Sequence, residues 1–273
     1  MADAKEHPGP IDIAVVGHTN AGKTSLLRTL TRQARFGEVA DRPGTTRHVQ
    51  AIALQTDGQT LVRYFDTPGL EDSVALQYHL RQLPEALTSP QRVRALLDGP
   101  EAHGVFEQEA KVLRQMLAAD AAIYVIDCRE PLLPKHRSEI EVLNTCARPI
   151  MPVLNFVHSA NSRECEWREA LAGYGLHAAV LFDAVAPFVG AERQLYEDLS
   201  VLMRQHQATL QTVLRDLERQ TLERRAASAQ LVADTLISAA AMRREIAPDT
   251  LADAQAKAAF VQTFRDELVA SVR

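Results

Sequence analysis

One eight-residue segment near the start of the chain constrains the fold more than any other. Residues 17–24 read Gly-His-Thr-Asn-Ala-Gly-Lys-Thr; the apolar run 11–16 precedes them, and a helical pattern continues to Leu30. An apolar strand, a glycine loop and a helix in this order form a phosphate-binding loop (P-loop), whose N–H groups surround phosphate oxygens at the positive end of the helix dipole. The segment therefore predicts an α/β fold with a triphosphate site.

The residue types in this loop fit a triphosphate and its metal ion. Glycine at positions 17 and 22 tolerates positive φ and lets phosphate oxygens approach the backbone. Lys23 is predicted to reach the β- and γ-phosphates, and the Thr24 hydroxyl is predicted to coordinate Mg²⁺. The loop residues predicted to contact the nucleotide are Gly17, Asn20, Ala21, Gly22, Lys23, Thr24 and Ser25.

Composition narrows the class of protein around this site. Apolar residues make up 46% of the 273 residues, which suffices for a packed core. The net charge of −5 gives no overall basic field of the kind that attracts nucleic acid. Three widely spaced cysteines favour reduced thiols over a disulfide framework. The N-terminus is polar and no long uninterrupted apolar stretch occurs, so we expect a cytoplasmic protein without a transmembrane segment.

Apolar runs alternate with amphipathic helical patterns from residue 11 to about residue 190. Two of the runs are separated by Thr56-Asp57-Gly58-Gln59, and Asp-Gly is typical of a hairpin turn, so this pair is predicted to be antiparallel. The longer connections elsewhere favour parallel pairing. The predicted fold is a doubly wound, mostly parallel six-stranded sheet with one antiparallel edge strand, built from runs at 11–16, 48–54, 60–65, 121–127, 149–155 and 177–182.

Two helical regions lie outside that alternation. An insert at about 71–119 carries helical patterns interrupted by prolines, and a mobile lid, a partner surface or an extra packed helical layer accounts for it. From 191 to 273 apolar residues recur at intervals of three and four, which predicts one long helix at first and an α-helical C-terminal region overall. The preceding α/β domain is expected over 10–190. The apolar stripe of the C-terminal region either packs on that domain or pairs with a second chain in a dimer.

Two further motifs complete a nucleotide site in the sequence. Asp66-Thr67-Pro68-Gly69 follows a predicted strand. Asp66 is predicted to hold the Mg²⁺ shell through water, and the Gly69 N–H to contact a γ-phosphate and so report its presence. Between this motif and the P-loop lies Pro43-Gly44-Thr45-Thr46, where a threonine that coordinates Mg²⁺ only while a γ-phosphate is bound would make the loop a switch.

Together, G-H-T-N-A-G-K-T, P-G-T-T-R and D-T-P-G resemble the Era and TrmE branch of translation-factor-class GTPases, over about residues 10–190. More narrowly, the residues at 14–20, 36–39 and 153–157 resemble a bacterial family that joins an Era-like GTPase domain to a C-terminal helical region of unknown function. The resemblance implies the P-loop GTPase fold, GTP as substrate and Mg²⁺ as cofactor. Members of that family look longer than this chain, which implies a truncated C-terminus here.

The resemblance also implies roles for single residues. Thr46 corresponds to the switch threonine that coordinates Mg²⁺, and Asn20 to an asparagine that helps several relatives to bind K⁺ beside the phosphates. Leu70 stands where Ras-like enzymes carry a water-orienting glutamine, and leucine cannot orient water by hydrogen bonding. The resemblance therefore implies slow hydrolysis that K⁺ or a partner stimulates. It also implies that Lys23, Thr46 and Gly69 act on the γ-phosphate.

The guanine-recognition motif N-K-x-D is altered in this chain, which has Asn155-Phe156-Val157-His158 at that place. Asn155 can brace the P-loop or touch the base, and Phe156 can stack on a purine. His158 lacks the two acceptors with which an aspartate binds guanine, and Asp183, after the sixth predicted strand, is the candidate substitute. Three outcomes stay open: relaxed guanine selectivity, acceptance of ATP, and weak binding by a scaffold.

The leading hypothesis from the sequence is a slow, Mg²⁺-dependent GTPase switch. A nucleotide-dependent interaction or scaffold module with little turnover is the second, and a P-loop ATPase with relaxed base specificity is the third. A protein partner is expected to bind the switch loops, the insert or the C-terminal helices.

Overall fold

The structure, a computed structural model, describes residues 9–33, 49–184, 187–243, 245, 247–248 and 252–271. The chain divides into two compact units, Met1–Asp216 and Leu217–Arg273. The sheet lies in the first unit, and the elements of the second unit are helices. Within the described ranges, no helix has the length and apolarity needed to cross a membrane.

A six-stranded sheet forms the centre of the first unit. Its strands are β1 (Ile11–Val16), β2 (Gln50–Thr56), β3 (Gln59–Asp66), β4 (Ala121–Asp127), β5 (Ile150–Asn155) and β6 (Val180–Leu181). Their order across the sheet is β2-β3-β1-β4-β5-β6. Only the β2–β3 pair is antiparallel among the strands described. The predicted doubly wound, mostly parallel sheet with one antiparallel edge strand is confirmed.

The amino-acid pattern of each strand explains its place in the sheet. β1, β4 and β5 are buried along almost their whole length, as expected for central parallel strands covered on both faces. β2 has a single buried residue and lies at the edge. The turn from β2 to β3 places Asp57 at φ 51° and Gly58 at φ 78°. Positive φ at both central residues is the geometry of a tight hairpin, which is why the Asp-Gly signal was informative.

Helices connect the strands and continue beyond them. In the described part of the chain they are α1 (Lys23–Thr31), α2 (Ser73–Gln82), α3 (Ser89–Asp98), α4 (Glu107–Ala118), α5 (Pro134–Thr145), α6 (Glu164–Gly173), α7 (Ala191–Leu202), α8 (Gln207–Ala241) and α9 (Ala254–Ser271). Short 3₁₀ turns occupy Pro100–His103 and Arg204–His206.

The insert between β3 and β4 forms a packed helical layer, which is one of the alternatives that its sequence allowed. Leu76, Val93 and Met116, one from each of α2, α3 and α4, are fully buried in the main hydrophobic core. Pro90 does not interrupt a helix but stands in the first turn of α3, where its missing N–H costs nothing. Val105 precedes α4 and is 81% exposed.

The apolar stripe after residue 190 was predicted to lie on one long helix, and this prediction is wrong. α7 ends at Leu202, and a 3₁₀ turn separates it from α8. Leu195 and Leu199 are fully buried, and the Tyr196 hydroxyl lies 2.6 Å from the hydroxyl of Tyr64 on β3. This first part of the stripe therefore packs within the first unit, because its buried face meets the sheet.

Candidate functional site

The loop between β1 and α1 has the backbone that its glycines predict. Gly17 and Gly22 have φ values of 141° and 97°, and Asn20 between them has φ 65°. A Cβ atom at position 17 would collide with the Val125 carbonyl oxygen, and one at position 22 with the Asn155 amide. Gly22 at the N-cap of α1 carries no side chain that could cap the helix, so the first N–H groups of α1 are free of a side-chain cap and can bind an anion.

Lys23 is held inside this loop. Its side chain is almost completely buried, and Nζ donates to the carbonyl oxygens of Gly17 and His18, both at 2.9 Å. Burial lowers the pKa of Lys23, and the nearby Asp66 and Glu139 carboxylates act in the opposite direction. The ammonium group therefore sits in the concave side of the loop, where it has two carbonyl acceptors that a phosphate can replace.

Thr24 and Asp66 bring the P-loop and the D-T-P-G motif together. Thr24 Oγ1 donates to Asp66 Oδ2 at 2.5 Å. Asp66 is 1% exposed, and its Oδ1 has no hydrogen-bond partner among the described residues. Burial raises the pKa of Asp66, while the Thr24 hydroxyl and the Lys23 ammonium oppose that rise. A buried, unpartnered carboxylate oxygen beside a hydroxyl fits Mg²⁺, which prefers oxygen ligands and would offset the desolvation.

Gly69 packs directly against the P-loop. A Cβ atom at position 69 would collide with both Oγ1 and the backbone nitrogen of Thr19, whose hydroxyl is buried without a partner among the described residues. The backbone of the next residue, Leu70, pairs with His18 in an isolated parallel bridge. The Leu70 side chain is fully buried in the hydrophobic core. A leucine buried in this way offers no group that could orient an attacking water by hydrogen bonding.

Some predicted contacts lie elsewhere or outside the described residues. Thr46 and the rest of 36–47 are outside them, so its role as a magnesium ligand stays a prediction. Asn20 is exposed at the top of the loop. Ala21 is buried and its carbonyl accepts from Asn155, while the Ser25 carbonyl accepts from the Thr29 hydroxyl at 3.0 Å.

Asn155, at the end of β5, ties three segments together. Its Nδ2 donates to the Ala21 carbonyl oxygen at 2.9 Å, and its Oδ1 accepts from the Ala184 N–H at 2.9 Å. The side chain is 1% exposed. Asn155 therefore braces the P-loop against the segment after β6, which was one of the two roles expected for it.

An aromatic ring lies at the altered guanine-recognition motif. Phe156 follows Asn155 with φ 59°, and the Arg129 guanidinium carbon lies 3.8 Å from its ring centroid. Asp127 Oδ2 accepts from Arg129 Nη2 at 2.6 Å, and this hydrogen bond is the main cause of the raised pKa of Arg129. Asp183 is buried close enough to raise that pKa further, whereas His158 is exposed. Arg129 could not be predicted as a site residue, because nothing in the local sequence links it to Phe156.

A cluster behind the P-loop was also missed. The P-loop–α5 cluster consists of His18, Tyr124, Lys135, His136 and Glu139. Lys135 Nζ lies 2.9 Å from His18 Nε2, and the Tyr124 hydroxyl donates to Glu139 Oε2 at 2.7 Å. Burial raises the pKa of Glu139 to about 7 and lowers that of His136 to about 4. No spacing in the sequence indicates these contacts, because they join the P-loop to β4 and a helix more than one hundred residues away.

Two family models match the chain. Residues 12–156 match the model described as 50S ribosome-binding GTPase, which covers more than half of the chain. Residues 168–273 match the model of a domain of unknown function, DUF3482.

Curated relatives resemble the first part of the chain. It is 29% identical over 155 residues to the Probable GTP-binding protein EngB of Neisseria meningitidis serogroup C, which is 57% of this chain and 62% of that protein. It is 31% identical over 147 residues to GTPase Der of Halorhodospira halophila, which is 51% of this chain and 30% of that protein. The chain therefore spans less than two thirds of the length of these relatives.

Solved structures of Era share the fold. Era from Aquifex aeolicus bound to GDP·AlF₄⁻ aligns over 72% of this chain and 57% of its own, with a TM-score of 0.50 and 18% identity. Era in complex with MgGDPNP and a segment of 16S ribosomal RNA aligns equally well. At this identity the likeness shows the fold alone, and it agrees with the P-loop GTPase topology of the sheet. On the family match, the chain belongs to the 50S ribosome-binding GTPase family, as a translation-factor-class GTPase followed by a DUF3482 domain.

Proposed function

We propose that this protein binds GTP with Mg²⁺ and hydrolyses it slowly, as a molecular switch. The observation that carries the proposal is the meeting of Lys23, Thr24 and Asp66 at the N-terminus of α1. Thr24 and Asp66 are 42 residues apart in the sequence and joined by a 2.5 Å hydrogen bond. An ammonium, a hydroxyl and a carboxylate in this arrangement match what the β- and γ-phosphates and their metal ion need.

Thr24 and Asp66 are the residues that would hold Mg²⁺, which when bound neutralises charge on the phosphates. The N–H groups at the start of α1 bind phosphate oxygens, and Lys23 exchanges the carbonyls of Gly17 and His18 for the β- and γ-phosphates. The Gly69 N–H, beside the P-loop, contacts the γ-phosphate. Loss of the γ-phosphate removes that contact and frees the segment that follows.

Glu109 of the insert acts as a positioning residue for that segment. Its Oε1 accepts from the backbone N–H of Glu71 at 3.2 Å and of Asp72 at 3.0 Å, directly after Leu70. The carboxylate is 4% exposed. Asp72 in turn caps α2 by accepting from the Ala75 N–H at 3.0 Å. The insert thus fixes the start of α2, and with it the backbone that faces the γ-phosphate.

The nucleotide site is tested by Lys23→Ala, with Lys111→Ala on α4 as the matched control. Removing an ammonium that makes charge-assisted bonds to two phosphates should weaken GTP binding by about 100-fold or more. Titration of a fluorescent GTP analogue in the presence of Mg²⁺ measures the change. Equal affinities for Lys23→Ala and the unaltered protein would contradict the proposed site.

Slow turnover and K⁺ stimulation form the second part of the proposal. The buried Leu70 side chain leaves the attacking water without a side-chain partner from this position, and Asn20 is exposed beside the loop. We expect hydrolysis to be faster in KCl than in NaCl at matched ionic strength, and Asn20→Ala to remove the difference. Identical rates in the two salts would rule out K⁺ stimulation.

A second candidate function is a purine-nucleotide switch with relaxed base selectivity. It is favoured by the stack of Phe156 and Arg129, which suits any purine, and by the exposed His158 at the aspartate position. Competition of GTP, ATP and XTP against a fluorescent nucleotide separates the candidates. A preference of GTP over ATP below about tenfold favours the relaxed site, since a paired acceptor alone gives more.

A scaffold with little turnover is distinguished by single-turnover hydrolysis with and without K⁺. Tight binding without product in either salt favours the scaffold. The cytoplasmic location and the protein partner expected from the sequence remain part of the proposal.

A further inference from the structure

A second pocket lies away from the P-loop, between α2, α3 and α5. It has a volume of about 270 Å³, just below the usual range of small-ligand pockets of about 300–1,000 Å³. One wall is α2, which begins three residues after Leu70, and another is α3, which belongs to the insert. The pocket therefore exists because the insert packs beside the helix that follows the D-T-P-G motif.

The charged groups of this pocket leave one cation uncompensated. Arg81 Nη2 lies 2.5 Å from Glu141 Oε2, so these two lining residues neutralise each other. Arg92 forms no ion pair with any described residue. Its Nη2 reaches only the Glu85 carbonyl oxygen, at 3.4 Å, and its Nε is buried without a hydrogen-bond partner among the described residues. A buried guanidinium N–H without an acceptor is costly, so Arg92 has N–H donors that an anionic group could satisfy.

Other lining groups suit the same kind of ligand. Ser89 is the first residue of α3 and stands three positions before Arg92, so both side chains point to one face of that helix. The positive end of the α3 dipole therefore lies at the same side of the pocket as the guanidinium. Asn144 on α5 also lines the pocket, and its Nδ2 donates to the Tyr174 carbonyl oxygen at 3.4 Å. Leu80 and Val142 supply an apolar floor.

We propose that this pocket binds a small organic anion, with its carboxylate or phosphate monoester group on Arg92 and Ser89 and a short apolar body on Leu80 and Val142. The planar fork of a guanidinium matches either head group in two parallel hydrogen bonds. The volume admits a ligand of metabolite size and excludes a folded peptide.

Such a ligand would also regulate the proposed switch. α2 contributes Gln77, Leu80 and Arg81 to the pocket and follows the segment that faces the γ-phosphate. A movement of α2 between nucleotide states would change the pocket, and by linkage the anion would change nucleotide affinity by the same factor. This coupling, unlike the anion site itself, rests on the proposed function.

The site is tested with benzoate and phenyl phosphate as probes and neutral benzamide as the control. Titrations use the full chain carrying Lys23→Ala, so that phenyl phosphate cannot report the P-loop, and the methyl NMR signals of Leu80 and Val142 as the readout. We expect both signals to shift with either anion and not with benzamide. Comparing the two anions identifies the preferred head group. Absence of shifts with both anions would overturn the proposal.

Variants of α3 distinguish binding by the Arg92 guanidinium from nonspecific attraction to positive charge. Arg92→Ala should weaken binding about tenfold or more, whereas Arg94→Ala, exposed on the same helix and outside the pocket, should not change it. If Arg92→Ala does not fold, Ser89→Glu serves instead: it places a carboxylate beside Arg92 at a helix position that favours acids, and should abolish binding. Unchanged binding in the folded variant refutes the site.

The coupling is measured separately, by repeating the benzoate titration on the unaltered protein with MgGDP and with a non-hydrolysable GTP analogue. Different affinities support coupling, and equal affinities exclude it. If the protein binds no nucleotide while benzoate still depends on Arg92, the proposed function fails and the anion site stands.

Discussion

Replacing Glu139 by glutamine should change how the stability of the protein depends on pH. Glu139 is 1% exposed, and its Oε1 has no hydrogen-bond partner among the described residues. Burial raises its pKa from the ordinary 4.5 to about 7. The hydrogen bond from Tyr124 and the charges of Lys23 and Lys135 oppose that rise, and the Glu130 carboxylate adds to it. Glutamine keeps the size of the side chain and removes the charge.

The sign follows from the two pKa values. Between pH 4.5 and about 7 the folded state holds a proton that the unfolded state has released, so the stability contributed by Glu139 falls as pH rises. The loss is absent well below pH 4.5 and complete above pH 7. At about 1.4 kcal/mol per pH unit, it amounts to about 3 kcal/mol, most of which lies between pH 5 and pH 8.5. Glutamine does not titrate and suffers no such loss.

Urea unfolding followed by tryptophan fluorescence measures this difference. Trp167 is the only tryptophan, is almost fully buried, and packs against His136 of the cluster with ring centroids 5.0 Å apart. The free energy of unfolding of Glu139→Gln, relative to the unaltered protein, should rise by about 2–3 kcal/mol from pH 5 to pH 8.5. Subtracting the unfolding free energy of the unaltered protein from that of Glu139→Gln cancels the contributions of groups outside the P-loop–α5 cluster. Glu169→Gln, exposed on α6, is the control and should show no such trend.

The reasoning is refuted if the difference in unfolding free energy between Glu139→Gln and the unaltered protein does not vary with pH. The Glu139 carboxyl would then have the same pKa in the folded and unfolded states. Tyr124→Phe gives an independent check. It removes the donor to Glu139 Oε2, so the pKa of Glu139 should rise further and the loss of stability should extend to higher pH. If Tyr124→Phe moves the loss of stability to lower pH, the role given to this hydrogen bond is wrong.

Three more substitutions test the positioning groups. Asn155→Ala leaves the two backbone groups that it braces without partners, and urea unfolding should show a loss of about 2–4 kcal/mol; a loss under 1 kcal/mol contradicts the bracing role. Glu109→Ala should lower kcat for GTP more than it raises KM, and Glu109→Gln, which keeps an acceptor oxygen, should restore most of the rate; equal rates for both variants argue against positioning. Tyr196→Phe removes one hydroxyl of a buried pair with Tyr64, and the free energy of unfolding should fall by about 1 kcal/mol.

Much of the fold could be predicted because its signals are local. The alternation of short apolar runs and helices reflects strands covered on both faces, and the Asp57-Gly58 turn needs positive φ. The parallel or antiparallel pairing of the strands followed from the lengths of their connections, whereas their order across the sheet came from the structure. The packing of the insert could not be predicted in the same way, since a mobile lid and a packed layer share one amphipathic pattern. Burial of Leu76, Val93 and Met116 against the sheet settled it.

By itself, the sequence determined the phosphate side of the candidate site. Gly17, Gly22 and Lys23 are set by the needs of a tight loop at a helix N-terminus, which is chemistry confined to eight neighbouring residues. Tertiary structure decided everything that depends on distant segments meeting. It placed Arg129 on Phe156, put Glu139 behind the P-loop, and built a pocket around Arg92. Such groups leave no periodic trace in the sequence, because packing of strands and helices far apart in the chain, and not local spacing, brings them together.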